Sequence, residues 1–232
     1  MVADESPVGA EKLAATGLML LAWPALLLVL GGDARWLEGW LFAAWFVALF
    51  STVIGWLHRK DPALLAERYR KSGGGQRGWD RAVVAALFVG FIAWLVVMPL
   101  DARRFHWTRG WPVAAQTVGG GLLAASFFLF FRSFTDNTYL SPLVRIQAER
   151  KQHVVSTGVY GFVRHPMYLG AVLMFAGVPM LLGSECGLAI GGALSLVLAA
   201  RIVGEERMLS KDLEGYDAYR GKVRYRLLPG VW

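Results

Sequence analysis

Two short clusters carry the side chains that could do chemistry. The first is Arg164-His165-Pro166-Met167-Tyr168, at the start of an apolar stretch; the second is Arg201 with Glu205 and Glu206, at the end of the next one. Proline suits the first position of a helix, where its missing N–H would be unpaired anyway. The helix start then offers free backbone N–H groups and the positive end of its dipole. With Arg164 and His165 added, the segment suits a carboxylate or a phosphate. The same residues also suit a plainer role, with a snorkelling arginine and an interfacial tyrosine anchoring a membrane helix. Arg201 and Glu205 lie four apart and share a helix face. They read either as an ion pair at the headgroup level or as groups lining a wet cavity. Only the turn Gly183–Gly187 separates the two apolar stretches, so a helical hairpin brings both clusters to one side of a bilayer.

The flanking segments extend the candidate site. The segment Asn137–Thr157 is too long for a mere connector and could close a site from the aqueous side. Within it His153 precedes an extended Val-Val pair, and by itself it reads as a surface histidine. The tail from Leu209 places Tyr216 and Tyr219 three apart, followed by Arg220, Lys222, Arg224 and Arg226. Those bases suit anionic lipid, and either tyrosine is free to line a pocket. Histidines 58, 106, 153 and 165 are scattered, and Cys186 is the single cysteine. The sequence therefore predicts no metal site and no intrachain disulfide. The glycine-rich run Ser72–Gly78 lacks the Gly-Lys-Ser/Thr ending of a phosphate-binding loop.

The elements that must position these residues are membrane helices. More than half of the 232 residues are hydrophobic, and several windows of about 18–20 residues are nearly free of charge, the length that crosses a bilayer. The expected class is all-α: a polytopic membrane helical bundle of about six spans, near residues 13–30, 38–57, 82–100, 112–131, 166–182 and 187–204. The start of the chain, 1–12, lacks the basic stretch and cleavage site of a secretory signal, so the first helix is expected to be retained. With both termini inside, inner segments hold 18 Lys and Arg and outer segments hold 4; this bias predicts cytoplasmic N- and C-termini. Arg103, Arg104 and Arg109 dissent, since they face outward. Residues 1–132 are expected to hold four spans, and residues 133–232 a loop, a helical hairpin and a tail. The net charge of +7 fits a membrane surface. No aromatic-basic interleaving marks a nucleic-acid partner.

The run Gly158-Val-Tyr160, Arg164-His-Pro166, Tyr168 and Gly170, followed by Arg201, Glu205-Glu206, Leu209, Tyr216, Tyr219, Val223 and Leu-Pro229, resembles the isoprenylcysteine carboxyl methyltransferase family of integral membrane enzymes. The resemblance covers about 137–229. A weaker likeness joins Pro62–Arg68 and Trp79-Asp80-Arg81 to the first inner loop of bacterial members. It implies a cytoplasmic site for S-adenosylmethionine, built by the last helical hairpin and the tail, beside a path open to lipid. Carried over residue by residue, Arg164, His165 and Tyr168 contact the cofactor, with His153 and Tyr160 nearby. Glu205 and Tyr219 border it, and Arg201 and Glu206 sit where donor and acceptor meet. The family's Gly-x-x-Tyr is one residue short here, reading Glu214-Gly215-Tyr216. The expected acceptor is a lipophilic or lipidated molecule in the membrane, foremost an isoprenylcysteine-type carboxylate. A thiol or a phospholipid amine is the alternative. An NADPH-dependent membrane reductase and a non-enzymatic membrane subunit are the competing classes.

Overall fold

A computed structural model describes residues 8–69 and 76–232, so most of the run 72–78 lies outside the described residues. Every regular element among them is helical: α1 (Ala10–Gly31), α2 (Leu37–Lys60), α3 (Pro62–Arg68), α4 (Gly78–Pro99), α5 (Val113–Asp136), α6 (Pro166–Leu182), α7 (Glu185–Asp212) and α8 (Tyr216–Lys222). Five of them, α1, α2, α4, α5 and α7, are long and apolar enough to cross a membrane. The sixth expected span, α6, has 17 residues. At a rise of ~1.5 Å per residue it is slightly short of a full bilayer core.

The observed ends show what charge does and does not do to a helix. α6 has the bounds that Pro166 and Gly183 dictate, a proline in its first turn and a glycine at φ 82° as its C-cap. By contrast α7 runs eight residues past the expected stop at Gly204. Gly204 is there for space: a Cβ on it would lie 2.5 Å from the Trp79 ring. Among the charges that follow, Glu206 and Asp212 are paired with arginines and Glu205 accepts from Tyr168, so they do not end the helix. α3 was not foreseen. Asp61 caps it by accepting from the Leu64 N–H at 2.9 Å, and Pro62 occupies its first turn.

The bundle is held by close helix contact and by one polar staple. α5 and α6 pack antiparallel. A Cβ on Gly119 would sit 2.5 Å from the Leu181 nitrogen and 2.7 Å from the Gly177 carbonyl. Lower in the pair, the buried Ser126 hydroxyl donates to the Gly170 carbonyl at 2.8 Å. α7 packs on α6 through Gly191, whose Cβ position lies 2.4 Å from the Phe175 carbonyl. The shared core joins Trp94, Met98, Phe175, Val178, Leu198 and Ile202. At the end away from the two clusters, α4 continues into a π turn over Leu100–Arg104. There the fully buried Asp101 accepts from the Thr108 and Cys186 N–H groups and from the Ser184 hydroxyl at 2.6 Å. This ties α4 to the α6–α7 turn. Arg103, one of the dissenting bases, is neutralised by Asp33, with its Nε 2.9 Å from Oδ2.

Replacing Gly119 with Ala forces α5 and α6 apart and is expected to cost ~1–3 kcal/mol. Gly120, whose Cβ position meets nothing within 4 Å, is the control. Thermal unfolding in detergent should fall several degrees for Gly119→Ala and stay put for Gly120→Ala.

Candidate active site

The site begins with a carboxylate buried in the wall of the bundle. Glu206, on α7, has both oxygens engaged. Oε1 lies 2.6 Å from Arg164 Nε and 3.3 Å from His165 Nε2, and Oε2 lies 2.7 Å from Arg226 Nε. The sequence predicted an anion at the start of α6, and the chain supplies one itself. Arg164 also donates through Nη1 to the Val223 and Arg224 carbonyls, both at 2.7 Å. The backbone follows: the N–H groups of Arg164 and His165 donate to the Tyr225 and Arg226 carbonyls at 3.0 Å. One carboxylate thus joins the α6 start, the α7 end and the tail.

Beside this knot is an open cleft. His153, Tyr160, Arg164, His165, Tyr168, Glu205 and Tyr219, the seven residues expected around a cofactor, all line it. Each has a clear positioner. Tyr168 donates to Glu205 Oε2 at 2.7 Å. Tyr219 donates to the Tyr160 carbonyl at 2.7 Å. His153 packs edge-on against Tyr139 with Nδ1 3.0 Å from its hydroxyl. The turn before α6 is set by Asp136, which accepts from the Val159 N–H at 3.0 Å and lies against Gly158, at φ 58°.

The two residues expected to be catalytic lie elsewhere. Neither Arg201 nor Glu206 is among the residues lining the cleft; both are buried behind it. Nor does Arg201 hydrogen-bond Glu205, as their spacing suggested. Its Nε donates to Asp80 at 2.8 Å, Nη2 donates to the Pro142 carbonyl at 2.8 Å, and the guanidinium lies 5.8 Å from the Tyr168 ring centre. The stronger partner won: Asp80 is fully buried and also accepts from Gln76 and the Val144 N–H. A second buried pair, Arg145 with Glu67 at 2.8 Å, holds the 137–157 loop to α3.

Sequence reasoning left Tyr216 open as a pocket residue and did not place it at the cofactor, because the shortened Glu-Gly-Tyr motif left its position undecided. It lines the cleft, and its hydroxyl is buried without a hydrogen-bond partner. A buried unpaired hydroxyl costs free energy unless a ligand satisfies it. Burial raises the phenols of Tyr160, Tyr216 and Tyr219 well above the ordinary tyrosine value, so all three are neutral donors at physiological pH. Asp80 and Arg226 were also missed as site residues; the signals were the Trp79-Asp80-Arg81 likeness for the first and a place among the tail's bases for the second.

Compared with known families, residues 114–214 match the phospholipid methyltransferase family. The match spans under half of the chain and is a likeness of that stretch to the family. The match runs from α5 through α7 and so takes in most of the cleft wall, though not Tyr216 or Tyr219. Among solved structures, the chain is similar to the eukaryotic intramembrane Ras methyltransferase, isoprenylcysteine carboxyl methyltransferase. The likeness has a TM-score of 0.53 at 18% identity and covers 92% of this chain and 74% of that one. It is a likeness of fold, and it bears out the helical-bundle class. No curated protein matches the sequence at a significant level.

Glu206→Gln leaves Arg164 and Arg226 as buried or half-buried cations without their counter-charge. The expected cost is ~3–5 kcal/mol, the size seen when one partner of a buried pair is removed. Thermal unfolding in detergent measures it, and a loss under ~1 kcal/mol would show that the knot does not hold the wall together. The phenols predict an alkaline limit. Their folded values are raised, so their contribution is complete below about pH 10 and is lost as pH rises through the folded values. Phenolate absorbance should show these three ionising only together with unfolding.

Proposed function

We propose that the cleft binds S-adenosylmethionine and that the protein transfers its methyl group to a lipophilic acceptor in the membrane, foremost an isoprenylcysteine-type carboxylate. The observation that carries this reading is the convergence of all seven expected cofactor residues on one cleft. The residues present fit the donor. Glu205 presents a carboxylate to a ligand that carries an ammonium and a sulfonium. The Tyr216 hydroxyl lacks a partner that a polar ligand can supply. Tyr160, Tyr168 and Tyr219 give aromatic surface for a base and a cation. When bound, S-adenosylmethionine supplies an electrophilic methyl on a sulfonium centre.

The chain's own residues then have defined tasks. A carboxylate acceptor is already ionised and needs no general base, so alignment and exclusion of water supply the acceleration. Arg201, fixed by Asp80, holds the face of Tyr168, and Tyr168 in turn holds Glu205. Arg201 and Glu206 therefore act as positioning residues of the cleft wall in this reading. The site is proposed to lie on the cytoplasmic side, with both termini there, as the distribution of basic residues favours. A phospholipid amine is the second reading. The matched family favours it, and Glu205 in the cleft would take the proton that an amine must lose.

Calorimetry on the detergent-solubilised protein tests the donor. The expected result is saturable binding of S-adenosylmethionine and none of NADPH, weakened about tenfold or more in Glu205→Gln. Binding of NADPH in place of S-adenosylmethionine would support a reductase. Binding of neither would support a non-enzymatic subunit.

A further inference from the structure

A second concave feature lies on a different face of α7 from the cleft. Val203, Glu206, Arg207, Ser210, Arg220 and Arg226 line an open groove between the end of α7 and the tail. Three arginines meet one carboxylate there, and Glu206 already faces Arg164 through its other oxygen. The groove therefore carries net positive charge. Two of the arginines are fixed by the protein. Arg220 donates through Nη1 to the Ser210 hydroxyl at 2.8 Å and to Asp217 at 3.1 Å. Arg226 donates through Nε to Glu206 at 2.7 Å. Each keeps guanidinium N–H groups with no acceptor among the described residues, and the exposed Arg207 pairs with no carboxylate among them. Guanidinium forks held in this way are suited to the oxygens of a phosphate.

The groove sits at the edge of the apolar bundle. Leu227, next to Arg226, is buried in the same core as Leu198 and Ile202 of α7. Arg226 is thus placed where α7 leaves its apolar stretch. Leading up to the groove, Leu196, Ala200, Val203 and Arg207 recur at helical spacing along one face of α7. Leu196 is 74% exposed, Ala200 is exposed and Val203 is half-buried, so the neighbouring helices leave this face to lipid. An apolar track that ends in oriented cations at headgroup depth matches an acyl chain followed by an anion.

We propose that this groove is a binding site for one anionic phospholipid, separate from the cleft. Arg207, Arg220 and Arg226 hold its phosphodiester, and an acyl chain lies along the Leu196–Val203 face of α7. The negative charge of the lipid balances what Glu206 leaves uncompensated. A zwitterionic phospholipid brings its own cation to the same arginines and is the poorer fit. The site stands whether or not the cleft takes a methyl donor.

Native mass spectrometry of the full chain in a neutral detergent tests it, by titration with phosphatidylglycerol, with phosphatidylcholine of the same acyl chains, and with soluble glycerol phosphate. The wild type is expected to bind one phosphatidylglycerol at least fivefold more tightly than phosphatidylcholine. Arg207→Gln and Arg220→Gln should each weaken phosphatidylglycerol about fivefold, the size of one base at an anionic headgroup. Lys222→Gln removes the same charge from an exposed tail position outside the groove and should leave the affinity unchanged. Equal affinity for the two lipids overturns the proposal. So does an equal loss in Lys222→Gln, which would mean diffuse attraction to the whole tail. Glycerol phosphate bound as tightly as phosphatidylglycerol would assign the groove to a soluble phosphate and overturn the lipid occupant.

Discussion

A buried carboxylate cannot be left alone in the wall of a membrane bundle, and the basic groups around it cannot be left alone either. Glu206 resolves both demands at once. It faces Arg164, His165 and Arg226, which come from the start of α6 and from the tail, while Glu206 itself rides on α7. Desolvation makes each of these charges costly alone. The cheapest arrangement brings three distant segments together, and the cleft is the space that this arrangement leaves beside it.

The same logic recurs across the face that carries the cleft. Arg201 is matched by Asp80 and Arg145 by Glu67, each pair joining a loop or helix of the first half to the core of the second. These pairs let α7 carry Arg201 and Glu206 inside a continuous helix. Function and fold are linked through them: Arg201 steadies Tyr168, Tyr168 steadies Glu205, and Glu205 is the carboxylate that remains at the cleft surface. At the other end of the bundle Asp101 does a comparable job with neutral donors.

What the sequence made legible follows from how local each signal is. α6 was readable to the residue because proline and glycine act on the chain where they stand. The long spans were readable because hydropathy integrates over twenty residues. The end of α7 was misjudged because the neutralising partners of its charges lie far off; Asp80 is 121 residues upstream of Arg201. The cleft residues were found through a family resemblance that travels with motif spacing. The exact burial of Arg201 and Glu206 does not travel that way, since it depends on partners in loops of other spacing. Tyr216 was left undecided by a one-residue shortening that the turn at Gly215, with φ 81°, absorbs.

The central claim is that Glu206 is spent on holding the wall, so that the cleft beside it is free to take the methyl donor. A cryo-electron microscopy structure in lipid nanodiscs with S-adenosylhomocysteine bound tests this most directly. The account predicts ligand density between Tyr216, Tyr219 and Glu205, with Glu206 still paired to Arg164 and Arg226. Ligand bound elsewhere, or Glu206 released from those arginines to contact it, would contradict the account.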